Sequence, residues 1–296
     1  MTAGVPAGSQ VGMKEPERKE QDVANSFKIG GLDVLALSDG TITYPPHAYF
    51  RETTPDQWQP HKRWLDHQGM MKFQLGCFLV RSGGKRILID TGLGALQMYV
   101  FRGGALLDDL ASAGVEPEEI DTVFITHLHI DHCGTCTANG EGGFRPVFPN
   151  ATYRWTAKEH DHWLTAPMPP GSVFSVSDMQ KALGERFEAA DDGAALAAGV
   201  NVIATPGHTP GHASVVLSSG GERAFILGDA IICPVQLEET EWSGMGDMDP
   251  KLARRTQEAV AREIEGSGAL VAASHFPDLT FGRVLRGEGR RYWQPL

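Results

Sequence analysis

Apolar and polar positions first alternate over residues 27–37, which read as two short strands across the Gly30-Gly31 turn, the second ended by Ser38-Asp39-Gly40. Residues 76–80 and 86–90 form two apolar strands joined through Ser82-Gly83-Gly84, and residues 105–111 a short amphipathic helix stopped at Gly114. A buried strand over 121–125 follows, bounded upstream by Pro117. Further strands are predicted over 200–204 and 269–273, with a hairpin over 213–228 turning at Ser219-Gly220-Gly221. The clearest helix takes Asp249 as its N-cap and Pro250 as its first residue, and Gly266 stops it. Residues 44–73 show no clean period. Their aromatics Tyr49, Phe50, Trp58, Trp64 and Phe73 suit a functional excursion better than a solvated linker. Strands alternating with helices, many of them paired by hairpins, indicate an α/β layered fold with a mixed sheet.

Composition narrows the class. With 296 residues, 41% hydrophobic and 21% charged, the chain can bury a full core as an ordinary soluble globular protein. A formal net charge of -11 argues against a nucleic-acid partner, which would require a basic face. Residues 1–25 are polar, with no apolar core of signal-peptide length, and are expected to be a mobile leader to a single domain over 26–296. No run reaches the length of a membrane span, so a cytoplasmic location without a membrane partner is expected.

The densest chemistry lies in Thr126-His127-Leu128-His129-Ile130-Asp131-His132. Three imidazoles and a carboxylate this close are hard to explain without a cation, since neutral His nitrogens and Asp oxygens suit zinc and similar divalent ions. The cluster follows a strand, where open α/β sheets place their sites. Three further ligand candidates also stand at the ends of predicted strands beside Gly or Pro. They are His208 in Pro206-Gly207-His208-Thr209-Pro210-Gly211-His212, Asp229 after Gly228, and His275 before Phe276-Pro277. Taken singly, His208 and Asp229 suit turns and His275 a buried strand end. Cys133-Gly134-Thr135-Cys136 lacks the second pair of a zinc knuckle and suits reduced, packed cysteines, with a redox role as the alternative.

H-x-H-x-D-H, then G-H-T-P-G-H, G-D and a late S-H resemble the metallo-β-lactamase-fold hydrolase superfamily, from about Phe27 to the C-terminus. That resemblance implies a four-layer αββα sandwich with a dinuclear metal site on one rim. By position it assigns His127, His129 and His208 to the first metal, and Asp131, His132 and His275 to the second, with Asp229 bridging. His212 matches a buried residue behind the ligands. Asp90 matches an acidic strand end that would fix an imidazole tautomer. Two divalent ions, Asp131, Asp229 and a bridging hydroxide sum to one positive charge, which suits hydroxide attack on a carbonyl or phosphoryl centre. Asp131 would shuttle a proton to the leaving group. Zinc is the expected metal, with manganese, iron or cobalt as alternatives.

Within the superfamily, Asp229 after Gly228 counts against the β-lactamase branch, and the 21 residues after His275 are too few for a glutathione-binding helical region. The nucleic-acid-processing and flavin-linked branches need a further domain. Leu37-Ser38-Asp39-Gly40, the aromatic excursion and Arg291-Tyr292-Trp293 look similar to the compact lactonase and organophosphate-hydrolase branch. Its best-known acyl-homoserine lactonases carry a tyrosine three residues after the bridging aspartate, where this chain has Ile232. The expected activity is therefore opening of a lactone or cleavage of an ester of a small, largely apolar substrate, with a phosphotriester as the alternative. Trp58, Trp64, Met70, Met71, Phe73, Met98, Tyr99 and Phe101 are candidates for an apolar mouth, with Arg102 near it. A mononuclear iron persulfide dioxygenase is the rival from another reaction class, and it would not need His132 or His275. A non-catalytic binding role is the third reading. Compact relatives suggest a homodimer.

Overall fold

Side-chain alternation lets one sheet bury both of its faces, and this sets the architecture. The computed structural model describes residues 25–166 and 175–296, so the expected leader lies, Asn25 aside, outside the described residues. The first sheet takes β1 (Ser26–Ile29), β2 (Leu32–Tyr44), β3 (Met71–Ser82), β4 (Lys85–Ile89), β5 (Gln97–Met98), β6 (Phe101–Arg102) and β7 (Thr122–Phe124). A separate ribbon pairs β8 (Thr137–Gly140) with β9 (Gly143–Pro146), and β10 (Thr152–Trp155) and β11 (Phe187–Ala189) complete the first sheet. Its order among the described residues is β11-β10-β7-β4-β3-β2-β6-β5, with β1 on β2. The second sheet runs in sequence order through β12 (Ala195–Ala197), β13 (Val200–Ala204), β14 (Ala213–Ser219), β15 (Glu222–Ile226), β16 (Leu270–Ala272), β17 (Gly282–Gly287) and β18 (Arg290–Pro295). Both sheets are mixed: β4, β7, β10 and β11 are mutually parallel, as are β15 and β16.

Along β2, Val34 and Ala36 face the second sheet, where they join Phe78, Val80, Ile87 and Ile89 against Val202, Val215, Leu217 and Ile226. Leu35 and Leu37 face the other way, with Leu79, Leu88 and Val123, onto the helices Leu106–Ser112 and Val176–Leu183. Behind the second sheet, Val216, Phe225 and Val271 meet Val260, Ala261 and Ile264 of the helix Pro250–Ile264. The result is the expected αββα four-layer sandwich. The expected cap is present: the Asp249 carboxylate accepts from Leu252 N–H at 3.0 Å.

Ser38-Asp39-Gly40 does not end a strand. β2 continues to Tyr44, and the register shifts between Ser38 and Thr41. The polar triplet is a bulge that turns Asp39 inward, where its carboxylate accepts from Leu93, Gly94, Gly104 and Leu106 N–H at 2.7 to 3.1 Å. Gly40 is required there: at φ 139° a Cβ would stand 1.7 Å from Arg102 O. The aperiodic excursion holds a short helix (Pro46–Tyr49) and a 3-10 stretch (Pro55–Trp64), and Tyr49, Phe50 and Trp58 build a core of their own with Ile42, Phe73, Leu93 and Ile232. Among the described residues no helix is long and apolar enough to cross a membrane.

The topology aligns five strand ends. β4 and β7 are parallel, β15 and β16 are parallel, and β13 shares the direction of β15 because both run antiparallel to β14. Their carboxyl ends release Asp90, the 127–132 segment, the 205–212 turn, Asp229 and His275.

Candidate metal centre

The segment after β7 splits its ligands by local geometry. Leu128 is buried in the helix-side core, so His127 and His129 on either side of it turn together to the opposite side. The single helical turn Ile130–Cys133 then presents Asp131 and His132 next to each other. His129 Nδ1 stands 3.0 Å from both His127 Nε2 and His208 Nε2. One proton cannot serve two such contacts, whereas a cation between the three nitrogens satisfies all of them. Asp229 Oδ2 completes this group, 3.2 Å from His208 Nε2 and 3.9 Å from His127 Nε2. Asp229 Oδ1 faces the second group, 3.3 Å from both His132 Nε2 and His275 Nε2. Asp131 Oδ2 closes it at 3.5 Å from His275 and 3.9 Å from His132. Ligands at 2.0–2.1 Å around tetrahedral zinc lie about 3.3–3.4 Å from one another, so both groups have cation-sized separations.

Two buried atoms in this cluster, His132 Nε2 and Asp229 Oδ1, have no hydrogen-bond partner among the described residues. Such atoms cost about 1–3 kcal/mol each if left unpaired, and both point where an ion would sit. The electrostatics agree. Burial, and then the neighbouring His208, push His129 down to about 3, and burial with His132 and His129 holds His127 well below its usual range. Both are therefore neutral, as ligation requires. At His132 burial also opposes charge, but Asp229, Asp90 and Asp131 outweigh it and raise the imidazole well above its usual value. That carboxylate field favours a cation. All seven side chains picked out from the sequence thus converge into two adjoining groups that fit two divalent ions.

The family model for the metallo-beta-lactamase superfamily matches residues 74–275. This chain belongs to the metallo-beta-lactamase superfamily. Among solved structures it is similar to AidC, described as a dizinc quorum-quenching lactonase, with a TM-score of 0.82 and 25% identity over 92% of this chain and 97% of that one. It is also similar to the hydrolase AbOPH of the beta lactamase superfamily, with a TM-score of 0.77 and 29% identity over the same shares. Among curated proteins, an N-acyl homoserine lactonase of Bacillus thuringiensis is 23% identical over 219 residues, 66% of this chain and 79% of that protein. A ribonuclease of Thermus thermophilus is 31% identical over 155 residues, 51% of this chain. The match spans only 34% of the ribonuclease, and 43% of a beta-lactamase-like protein 2 homologue of Caenorhabditis elegans. The two solved neighbours are a lactonase and a hydrolase of the superfamily to which the family model assigns this chain.

Within this superfamily member, three of the outer imidazole nitrogens are tied down by acceptors. His132 Nδ1 meets Asp90 Oδ2 at 2.8 Å, His275 Nδ1 meets Gln74 O at 2.6 Å, and His208 Nδ1 meets Asp247 Oδ1 at 3.0 Å. Asp90 behaves as expected and sits at φ 59°, a strained angle held by bonds from Thr126 and Ser274. His212 is buried, and its Nε2 accepts from Asp229 N–H at 2.9 Å, so it orients the backbone of the shared carboxylate. Gly228 must lack a Cβ, which would come 2.9 Å from both His212 and Thr126. Asp247 was not foreseen, because nothing in Gly246-Asp247-Met248 marks it apart from an ordinary loop. Replacing it by asparagine is expected to loosen metal binding about 10–100-fold with little change in fold, read by competition with a chromophoric chelator.

The apolar mouth differs from expectation. Trp58 and Met71 are core residues at 3% and 1% exposure, and Trp64 packs on Trp293. Tyr99 is 85% exposed, Phe101 packs on the excursion core, and Arg102 donates to the Tyr99 and Phe101 carbonyls. The Met98 side chain lies outside the described residues. Met70 lines a groove of about 540 Å³ with Pro46, Trp58 and Lys62, but no metal-facing side chain lines it. Phe73 does reach the centre, its ring 5.7 Å from His275, and Trp163 lies 5.6 Å from His129. Cys133 and Cys136 are both buried; burial pushes the Cys136 thiol up to about 12, and Cys133 donates to His129 O.

Proposed function

We propose that this chain opens a lactone or cleaves an ester of a small, neutral, largely apolar substrate at a dinuclear zinc centre. The ligands would be His127, His129, His208, Asp131, His132 and His275, with Asp229 shared. The carrying observation is Asp229, whose two oxygens each face a separate three-ligand group. A bound ion pair would supply an acidified water and polarise the substrate carbonyl. The chain's own residues do the rest. Asp131, the carboxylate at 19% exposure beside the second group, takes up and returns the proton. Phe73 and Trp163, with Tyr49 packed against Phe73 at 4.7 Å, hold apolar substrate parts and exclude water. Ile232, at 1% exposure in the same cluster, adds no polar contact. The names of the similar lactonases support this substrate class. A mononuclear dioxygenase would leave His132 and His275 without a task, which disfavours it.

The test is elemental analysis of protein purified without added metal, with a hydrolysis screen of lactones, aryl esters and phosphotriesters. Two zinc ions per chain are expected, with lactone or ester turnover lost on chelation and restored by zinc. One iron per chain with oxygen consumption and no hydrolysis would overturn the proposal. Turnover of phosphotriesters alone would move the substrate class to the alternative.

A further inference from the structure

The buried Glu159 is absorbed by none of these roles. It lies on the helix Ala157–Thr165 at 0% exposure, and both of its oxygens are filled. Oε1 accepts from Leu128 N–H at 2.9 Å and from Trp163 Nε1–H at 2.7 Å. Oε2 accepts from Thr209 Oγ1–H at 2.8 Å and from Gly211 N–H at 3.0 Å. Leu128 is the residue between His127 and His129, and Thr209 follows His208. Trp163, held by the same carboxylate, lies against the His129 ring. The fit is close enough that a Cβ on Gly211 would stand 2.2 Å from Glu159 N.

We propose that Glu159 is the positioning residue of the first metal group, one carboxylate that fixes both backbone arms carrying its three imidazoles. This inference rests on the dinuclear reading above. A carboxylate can accept from four donors, two at each oxygen. Glutamine cannot: in either orientation its NH2 faces two donors, so one arm loses its anchor. The second group is untouched by this, since its outer nitrogens are held by Asp90 and Gln74 O.

The experiment uses the full-length zinc-loaded protein, Glu159→Gln, and the milder Thr209→Val, with zinc release timed into a chromophoric chelator. Glu159→Gln is expected to lose one ion per chain about 10–100-fold more readily than the parent, while the other is held as before. Thr209→Val should shift the same ion by a smaller factor, and it carries the test if the first variant does not fold. His275→Ala identifies which ion is which by emptying the second group. Release at the parental rate, or equal loosening of both ions, overturns the proposal. A parent protein that binds fewer than two ions overturns the dinuclear reading itself, and Glu159's role with it.

Discussion

Replacing Asp229 by asparagine is expected to lower kcat/KM on the order of 10³-fold, about 4 kcal/mol of transition-state stabilisation, and to leave one zinc ion or fewer per chain. The reason is geometric. Oδ2 lies 3.2 Å from His208 and Oδ1 lies 3.3 Å from both His132 and His275, so each oxygen serves a different group. An amide presents one poor ligand and one NH2, removes the negative charge both ions share, and turns a donor toward one of them. His212 still holds the backbone through Asp229 N–H, so the fold should survive. Zinc content by elemental analysis, beside initial rates on the best substrate of the screen, decides it. Two tightly held ions with near-parental rates would show that Asp229 does not bridge.

The second large effect is expected at Asp90→Asn. Asp90 is fully buried and accepts from Thr126 N–H at 2.8 Å, from the Thr126 hydroxyl, from the Ser274 hydroxyl at 3.1 Å, and from His132 Nδ1 at 2.8 Å. Asparagine with its NH2 toward His132 demands that Nδ1 accept, which moves the ring proton to Nε2. That is the nitrogen facing Asp229 and the second group, so His132 could no longer serve as a ligand there. With the amide turned the other way, the Thr126 N–H meets a donor instead. Second-ion affinity is expected to fall about 10–100-fold. The unpaired donor should cost roughly 1–3 kcal/mol of stability. Chelator competition and denaturant melts of the metal-loaded protein measure the two parts. A variant with unchanged second-ion affinity would show that Asp90 does not set the His132 tautomer.

The clustered His and Asp side chains and the strands that carry them were legible in the sequence because both are local. His127, His129, Asp131 and His132 follow one apolar strand, and His208, Asp229 and His275 each follow another, with Gly or Pro supplying the turn. Side-chain chemistry and backbone permission sit within a few residues of each other, and alternation tells which face is buried. Other features depended on partners far along the chain. Glu159 meets Leu128 across 31 positions, Asp247 meets His208 across 39, and no spacing rule joins such residues. The Ser38-Asp39-Gly40 triplet reads as a strand end because bulge and terminus share one composition. Only pairing across both sides of β2 shows that the strand continues. Trp58 and Met71 look like pocket residues for a similar reason: an aromatic, aperiodic segment has no face until it packs.

The sequence by itself determined which His and Asp side chains stand at the strand ends, and the superfamily through its motif order. The tertiary structure decided that the two oxygens of Asp229 face opposite groups, that Asp247 and Asp90 meet His208 and His132, that Glu159 accepts from both backbone arms beside the cluster, and which aromatics reach the centre. These are distances between elements brought together only when two sheets stack and align five strand ends on one rim.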